Sequence, residues 1–382
     1  MDRFLFRQPS FVTYGNGVAQ LVGDEARSLG VTRALLVTDK GVRAAGLVDG
    51  ILASLAAAGV TTVVYDNVGT NPETTMVEAA LALLQENGAE GVVAVGGGSS
   101  MDTAKGVAFL ATNGGKLQDY IGRNPPVVPL PSICIPTTAG TSSEVTNNIV
   151  FTDPTTRFKF GLSGPNCAAT RALVDPEMTL TLPKGMTAAT GMDALTHAIE
   201  SVTSKGAYDL TRSLALDAVR LIGEWLPVAV SDGQNRVARE RMMMACLEVG
   251  IGFNQSGLTI VHSMSHPVSG WCGTAHGVAN AVLLPHVMAY NCSYDVEGFA
   301  RVAEALGVET RGMSRLAAAE ASVEKVRELN RMVGIPEGLA ACNVKESDFP
   351  NLVADAVKSA GIGRNPRPTS AADIEEIYRQ AM

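Results

Sequence analysis

The segment "EGVVAVGGGSSMDTAKGVAF" (residues 90–109) joins a short apolar run, three consecutive glycines and a stretch with helical spacing. A strand, a glycine loop and a helix in this order are typical of a dinucleotide-binding unit. The glycines at 96–98 would let the backbone approach a phosphate, and the amides from Ser99 onward would open a helix whose dipole attracts anions. Met101 stands where G-x-G-x-x-G has its third glycine, so a purely structural turn is the alternative.

The sequence on both sides of this segment alternates between short β-rich runs and helical stretches. "RALLVTD", "TTVVYDNV" and "SICIPTT" predict strands, whereas "GLVDGILASLAAAGV" and "TTMVEAALALLQENGA" predict helices. Such alternation, with strands that are almost continuously apolar, favours a doubly wound parallel sheet that is covered on both faces. We therefore predict an α/β dinucleotide-binding domain over residues 1–182.

The pattern changes near Pro183. Segments such as "GMTAATGMDALTHAIESVTS" and "DLTRSLALDAVRLIGEWLPVAV" have the 3.6-residue spacing of helices, and no convincing strand follows. A chain of 382 residues is also too long for one ordinary core. We therefore predict an all-α domain over residues 183–382.

Composition restricts the class of function. The net charge of −8 and the lack of a basic run make nucleic-acid binding unexpected. No apolar run reaches the roughly 18 residues of a membrane span, and the N-terminal "MDRFLFRQPSF" lacks the features of a signal peptide. The six cysteines are scattered without a CxxC motif, so we expect reduced thiols and a cytoplasmic location.

An acidic residue that binds the cofactor ribose has two candidates. Counting ~20 residues on from the glycines leads to Asp119, which lies beyond a helix in a region typical of a solvated turn. Asp39 ends the predicted strand "ALLVTD", and ligands of α/β sheets bind at that end of the strands. A carboxylate there would accept from a ribose 2′-hydroxyl and repel a 2′-phosphate, which favours NAD over NADP. A turn-forming aspartate is the alternative.

Four of the five histidines share one pattern. Asp193 and His197 are four residues apart, which places them on one face of a helix, and His262 and His266 repeat the spacing. His276 follows after a proline and two glycines, on another turn or helix start. One carboxylate and up to four imidazoles predict a site for one divalent cation, with Fe²⁺, Zn²⁺, Mn²⁺ and Ni²⁺ all compatible. The alternative is a set of buried core histidines.

The chain resembles the iron-containing, group III alcohol dehydrogenases from end to end. The resemblance rests on "FVTYGNGV", "LLVTDKG", "NPETT", "VAVGGGSSMDTAK", "IPTTAGTSSEVT", "MTAATGMDALTHAIE", "VHSMSHPVSG" and "AHGVANAVLLPHVMAYN". The combination of "TGMDALTHAIE" with H-x3-H-x9-H is highly specific to that family. The C-terminal "NPRPTSAADIEEIYRQAM" looks most like the 1,3-propanediol dehydrogenase and lactaldehyde reductase branch.

The resemblance implies an NAD(H)-dependent oxidoreductase that interconverts a small primary alcohol, diol or hydroxy acid with its aldehyde or oxo acid. It implies one divalent metal, most simply Fe²⁺, and assembly into a homodimer or a larger homo-oligomer. It implies His266 as a group that helps to move the proton. The implied metal ligands are Asp193, His197, His262 and His276. The implied NAD contacts are Asp39, Asn71, Gly98, Ser99, Thr138, Thr141 and Lys159. Gly97 in the glycine loop and Ser143 in the hydroxyl-rich "IPTTAGTSSEVTNN", a composition that an ordinary loop shares, are further candidate contacts from the residues themselves.

The sequence departs from the family pattern around the last ligands. "CGTAHG" places Gly273 and Ala275 where the family has an acid or amide and a proline, and "GLTIVHSMSH" introduces hydroxyls at Thr259, Ser263 and Ser265. These hydroxyls raise the hypothesis of a polar or anionic substrate. Candidate pocket residues are Asn148, Phe253 with its neighbour Asn254, Thr259, Trp271 and Cys272.

Other functions remain open at this point. A lyase of the dehydroquinate synthase type also combines NAD with a metal, but it would need a basic pocket, and no Lys/Arg cluster accompanies the metal motifs. A glycerol dehydrogenase type of enzyme is a nearer alternative. An NAD-sensing or metal-storage protein is a third, non-enzymatic hypothesis.

Overall fold

The computed structural model describes residues 3–123 and 127–382 and divides the chain into two compact units. Unit 1 comprises residues 1–181 and unit 2 residues 182–382. Among the described residues, no helix combines the length and the hydrophobicity that a membrane crossing requires.

Unit 1 is built on a parallel sheet. The strands of the unit are β1 (Phe11–Tyr14), β2 (Arg33–Val37), β3 (Thr61–Tyr65), β4 (Gly91–Gly96), β5 (Ser132–Pro136), β6 (Asn148–Thr152), β7 (Lys159–Ser163) and β8 (Arg171–Val174). Six of them pair in parallel in the order β1-β8-β5-β4-β2-β3. The strands β3 and β4 lie on opposite sides of β2, so the order in which strands are added to the sheet reverses between β2 and β4. Ligands of α/β sheets bind at such a topological switch point.

Helices cover both faces of this sheet, as the sequence predicts. The helices of unit 1 are α1 (Val22–Ser28), α2 (Lys40–Ala44), α3 (Leu47–Ala57), α4 (Thr74–Glu86) and α5 (Gly98–Asn113). Neighbouring residues of β2 alternate between two buried clusters, with Leu35 in one and Leu36 in the other. That alternation follows from the two-residue period of a strand. The antiparallel pair β6–β7 lies outside the sheet and is absent from the sequence-based prediction.

The regular elements of unit 2 are all helices, which confirms the predicted all-α class. Its helices are α6 (Lys184–Thr203), α7 (Asp209–Ser231), α8 (Arg236–Ser256), α9 (Ile260–Cys272), α10 (His276–Asn291), α11 (Val296–Ala305), α12 (Arg315–Val333), α13 (Phe349–Ala356), α14 (Gly361–Arg364) and α15 (Ala371–Gln380). Helices α6, α9 and α10 carry the histidine motifs.

Candidate metal centre and dinucleotide site

Three helix segments bring the metal-type side chains together. Asp193 and His197 lie one turn apart in the buried middle of α6, while His262 lies in the first turn of α9. His276 is the first residue of α10. A Cβ built on Gly277 would lie 2.3 Å from the carbonyl oxygen of Ala189, so only glycine permits this close approach of α10 to α6.

The side chains of Asp193, His262 and His276 form a compact donor group. Their candidate ligand atoms all lie within 4.8 Å of one another. Asp193 Oδ1 is 3.8 Å from Nε2 of His262 and 3.8 Å from Nε2 of His276. Two metal–ligand bonds of about 2.0–2.2 Å can span at most about 4.4 Å, so Asp193 is close enough to each histidine to share one cation with it. The oxygen and nitrogen donors also suit a borderline divalent cation.

The other two histidines of the sequence pattern, His197 and His266, lie beside this group. The ring of His197 stacks on that of His262, with centroids 4.4 Å apart, and on the ring of Phe253 at 4.6 Å. The ring of His266 is centred 6.0 Å from His262 and 5.1 Å from His276. The compact group of three therefore contains neither ring, although both pack directly against it.

Electrostatics make the centre attractive to a cation. Burial alone would raise the pKa of Asp193, but the neighbouring His197, His262 and His276 hold it well below its ordinary range. Burial lowers the pKa of His262, yet Glu200 and Asp193 together raise it to about 9. Burial opposes the charged form of Glu200 as well, but His262 holds its pKa below the ordinary value. Two buried carboxylates are thus held in their charged form, and either a protonated His262 or a metal cation in place of that proton compensates them.

Two residues that contact the candidate ligands, Glu200 and Asn280, were not predicted from the sequence. The carboxylate of Glu200 contacts Nδ1 of His262. Nδ2 of Asn280 lies 2.6 Å from Asp193 Oδ1, 3.1 Å from His262 Nε2 and 3.2 Å from His276 Nε2. Their spacings supply a signal, because Glu200 comes three residues after His197 and Asn280 four after His276, each on the same helix face.

In unit 1, the glycine loop lies directly against the hydroxyl-rich loop that follows β5. A Cβ built on Gly98 would lie 2.8 Å from Thr141 Oγ1, and one on Gly97 would lie 3.5 Å from Thr138 Oγ1. The Thr138 hydroxyl is buried and has no hydrogen-bond partner among the described residues. The two loops thus form a cradle with an available donor at the start of α5, which suits a phosphate.

Asp39 borders the same cradle. Its Oδ1 accepts a hydrogen bond of 2.9 Å from Val42 N and caps α2, as a turn-forming aspartate would. Its Oδ2 is 3.6 Å from the position of a Cβ on Gly96, so the carboxylate also faces the glycine loop. Asp119 instead accepts from Lys116 N at 2.9 Å within its own turn.

The remaining candidate cofactor contacts surround this region of unit 1. Ser99 Oγ donates to the carbonyl oxygen of Thr70, which precedes Asn71. Lys159 pairs with Thr152 in the β6–β7 ribbon, and Thr152 N donates to Pro72 O, which links that ribbon to the Asn71 segment. Ser143 Oγ is engaged by the buried carboxylate of Asp102 at 2.5 Å.

The hydroxyls that depart from the family pattern are used within the fold. Thr259 Oγ1 donates to Glu200 at 2.6 Å. Ser263 Oγ bonds to the Thr259 carbonyl at 3.0 Å and to Ser359 Oγ at 2.9 Å. Ser265 Oγ donates to the His262 carbonyl at 3.4 Å. Because all three are buried and engaged, they require no anionic substrate to explain them.

The other candidate pocket residues also make contacts within their own units. Trp271 Nε1 donates to Asp355 at 2.9 Å, and Cys272 Sγ lies 3.8 Å from a carboxylate oxygen of Asp348. Asn148 accepts from the Ser163 hydroxyl in unit 1. Phe253 stacks on His197, as described above, and Asn254 follows it at the end of α8.

Known protein families match both units of the chain. The family model for iron-containing alcohol dehydrogenases matches residues 9–176, and the model for the C-terminal part of the Fe-containing alcohol dehydrogenase family matches residues 187–382. The chain belongs to the iron-containing alcohol dehydrogenase family. It is therefore an oxidoreductase of the alcohol dehydrogenase type, as the sequence motifs predict.

Similar relatives include a member of the branch that the sequence motifs predict. The 1,3-propanediol dehydrogenase of Citrobacter freundii is 42% identical over 99% of this chain and 98% of its own length. The NAD-dependent methanol dehydrogenase of Bacillus methanolicus is 38% identical over 98% of each chain. A crystal structure of 1,3-propanediol oxidoreductase matches with a TM-score of 0.96 and 40% identity, covering 100% of both chains.

Proposed function

We propose that this protein is an NAD(H)- and divalent-metal-dependent oxidoreductase that interconverts a small primary alcohol or diol with its aldehyde. The observation that carries the proposal is the convergence of Asp193, His262 and His276 within 4.8 Å in a member of a family named for iron. A lyase of the dehydroquinate synthase type is disfavoured, because the similar relatives are dehydrogenases over their full length.

The histidines and Asp193 of unit 2 would bind the metal and move the substrate proton. Asp193, His262 and His276 would hold the cation, and His197, which stacks on His262, would supply the fourth ligand. Fe²⁺ is our first choice of ion, with Zn²⁺, Mn²⁺ and Ni²⁺ compatible with the same donors. His266 lies beside this group without belonging to it, and its ring would help to move the hydroxyl proton.

NAD would be held by the glycine loop and its neighbours. The amides at the start of α5 and the hydroxyls of Thr138 and Thr141 would bind the diphosphate, and Asp39 would accept from the ribose. A cation held at the candidate metal centre would supply Lewis-acid polarisation of the substrate oxygen, and a nicotinamide held by unit 1 would supply or accept the hydride. The protein's contribution is to hold the reactants at reacting distance.

The engaged hydroxyls support a neutral substrate. Thr259, Ser263 and Ser265 all hydrogen-bond within the fold, so they no longer argue for an anionic substrate. We therefore favour a neutral alcohol or diol over a hydroxy acid, in keeping with the names of the relatives above. A cytoplasmic location and a homo-oligomeric state stay predictions.

The proposal is tested by NADH oxidation, followed by absorbance, with protein reconstituted anaerobically with Fe²⁺. We expect turnover of neutral C2–C4 aldehydes, and we expect His276→Ala to lose bound metal and nearly all turnover while its helical circular dichroism is unchanged. Equal turnover after complete removal of metal would contradict the ligand assignment. If aldehydes leave NADH unconsumed, the lyase alternative returns, and turnover confined to oxo acids would reverse the substrate class.

A further inference from the structure

Glu200 is a buried carboxylate at the candidate metal centre that would not itself bind the metal. It lies on the same face of α6 as Asp193 and His197, seven and three residues later, and is 2% exposed. Both of its oxygens contact α9 or Thr259, the residue before that helix, and the two oxygens have different partners.

Oε2 contacts Nδ1 of His262. A carboxylate can only accept a hydrogen bond, so the contact requires that Nδ1 carry the proton. In the neutral imidazole that binds a metal, the lone pair is then on Nε2, and Nε2 is the atom that lies 3.8 Å from Asp193 Oδ1 and 3.1 Å from Asn280 Nδ2. The carboxylate thus selects the nitrogen of His262 that faces the other candidate ligands.

Oε1 stabilises the beginning of α9. It accepts hydrogen bonds of 2.8 Å from Val261 N and 2.6 Å from Thr259 Oγ1. Thr259 precedes the helix but makes no side-chain capping bond to it, so Glu200 satisfies a first-turn amide that would otherwise lack a partner. The same carboxylate therefore sets the position of the helix that presents His262.

We propose that Glu200 is a positioning residue for the metal centre, which orients His262 and fixes its tautomer while capping α9 from outside the helix. This inference rests on the proposed function, since it assumes that His262 binds the cation. Hydrogen-bond partners of metal-bound histidines commonly change metal affinity by about 10–100-fold when they are removed.

The substitution Glu200→Gln removes the carboxylate charge and replaces the acceptor that faces Nδ1 of His262 with an amide. It keeps the size of the side chain, and Val261 N, a fixed donor, would orient the amide oxygen toward α9. The amide nitrogen then faces His262 and donates to Nδ1, which moves the imidazole proton to Nε2. The atom needed for the metal is thereby blocked, although the helix cap survives.

The experiment measures Zn²⁺ affinity of the full chain by competition with a chromophoric chelator. E200Q should bind Zn²⁺ about 10–100-fold more weakly than the wild type, with an altered visible spectrum when Co²⁺ is the probe. Glu248→Gln is the matched control, because Glu248 in α8 interacts with Asp217 and Arg220 and not with a candidate ligand. We expect E248Q to retain the wild-type affinity.

The outcomes separate the two proposals. Wild-type affinity in folded E200Q would overturn the role of Glu200 and leave the metal site intact. A wild type that binds no Zn²⁺ would refute the metal-dependent function itself. If E200Q fails to fold, Glu200→Asp replaces it, since it withdraws the carboxylate from His262 by one methylene. E200D should then lose more affinity than E248Q, and equal affinities would count against the inference.

Discussion

The buried carboxylate of Glu144 provides a quantitative test of the structure of unit 1. Glu144 follows the hydroxyl-rich loop beside the glycine cradle and is 1% exposed. No other residue of the described part of the chain donates a hydrogen bond to either side-chain oxygen. Burial therefore raises the pKa of Glu144 from the ordinary 4.5 to about 7, against the weaker opposing effects of its own backbone amide and Lys105.

The raised pKa of Glu144 makes the unfolding free energy depend on pH. The folded state binds this proton more tightly than the unfolded state, so the contribution is fully present below pH 4.5 and is lost as the pH rises through 7. The interval between those two values, at about 1.4 kcal/mol per pH unit, corresponds to roughly 3 kcal/mol of unfolding free energy. Glu144→Gln removes the titration while it preserves the size of the side chain.

Urea unfolding of both proteins at pH 5 and pH 8 measures this difference. The unfolding free energy of the variant minus that of the wild type should rise by about 2–3 kcal/mol between the two pH values. Subtracting the wild type cancels the histidines and other carboxylates, which both proteins share. A difference that stays constant within about 0.5 kcal/mol would mean that Glu144 is hydrated or hydrogen-bonded in the folded protein, and the reasoning would be wrong.

Three further predictions concern the two sites. Gly98→Ala should raise the KM for NADH at least tenfold with a smaller change in kcat, because the added methyl would lie 2.8 Å from Thr141; an unchanged KM in steady-state kinetics would place the cofactor elsewhere. Asp39→Gly should shift the NAD/NADP ratio of kcat/KM toward NADP and cost only a few tenths of a kcal/mol as a helix cap. A constant ratio would make Asp39 a turn residue alone. Ser263→Ala should lower the unfolding free energy by about 1 kcal/mol and leave the relative kcat/KM of neutral and anionic aldehydes unchanged, since its hydroxyl bonds to Ser359 and the backbone. A changed aldehyde preference would return the hydroxyl to the substrate pocket.

Local sequence patterns were sufficient for the elements and for most candidate residues. The near-continuous apolar runs ending at Val37 and Gly96 predicted β2 and β4, because strands buried on both faces need apolar residues at every position. The four-residue spacing of Asp193 and His197 likewise predicted one helix face. These are short-range properties, and the geometry of a single strand or helix determines them.

Other features depended on contacts between distant segments. The β6–β7 ribbon, the partners of the Ser263 hydroxyl and the engagement of Glu200 by α9 all join residues that are far apart in the chain. A hydroxyl or a carboxylate has the same local signature whether it meets a substrate, a metal or a backbone amide. The sequence alone therefore determined which donor groups were available, in which element and at what spacing. Only the tertiary structure decided which groups meet, since packing brings residues more than sixty positions apart, such as Glu200 and His262, into hydrogen-bond contact.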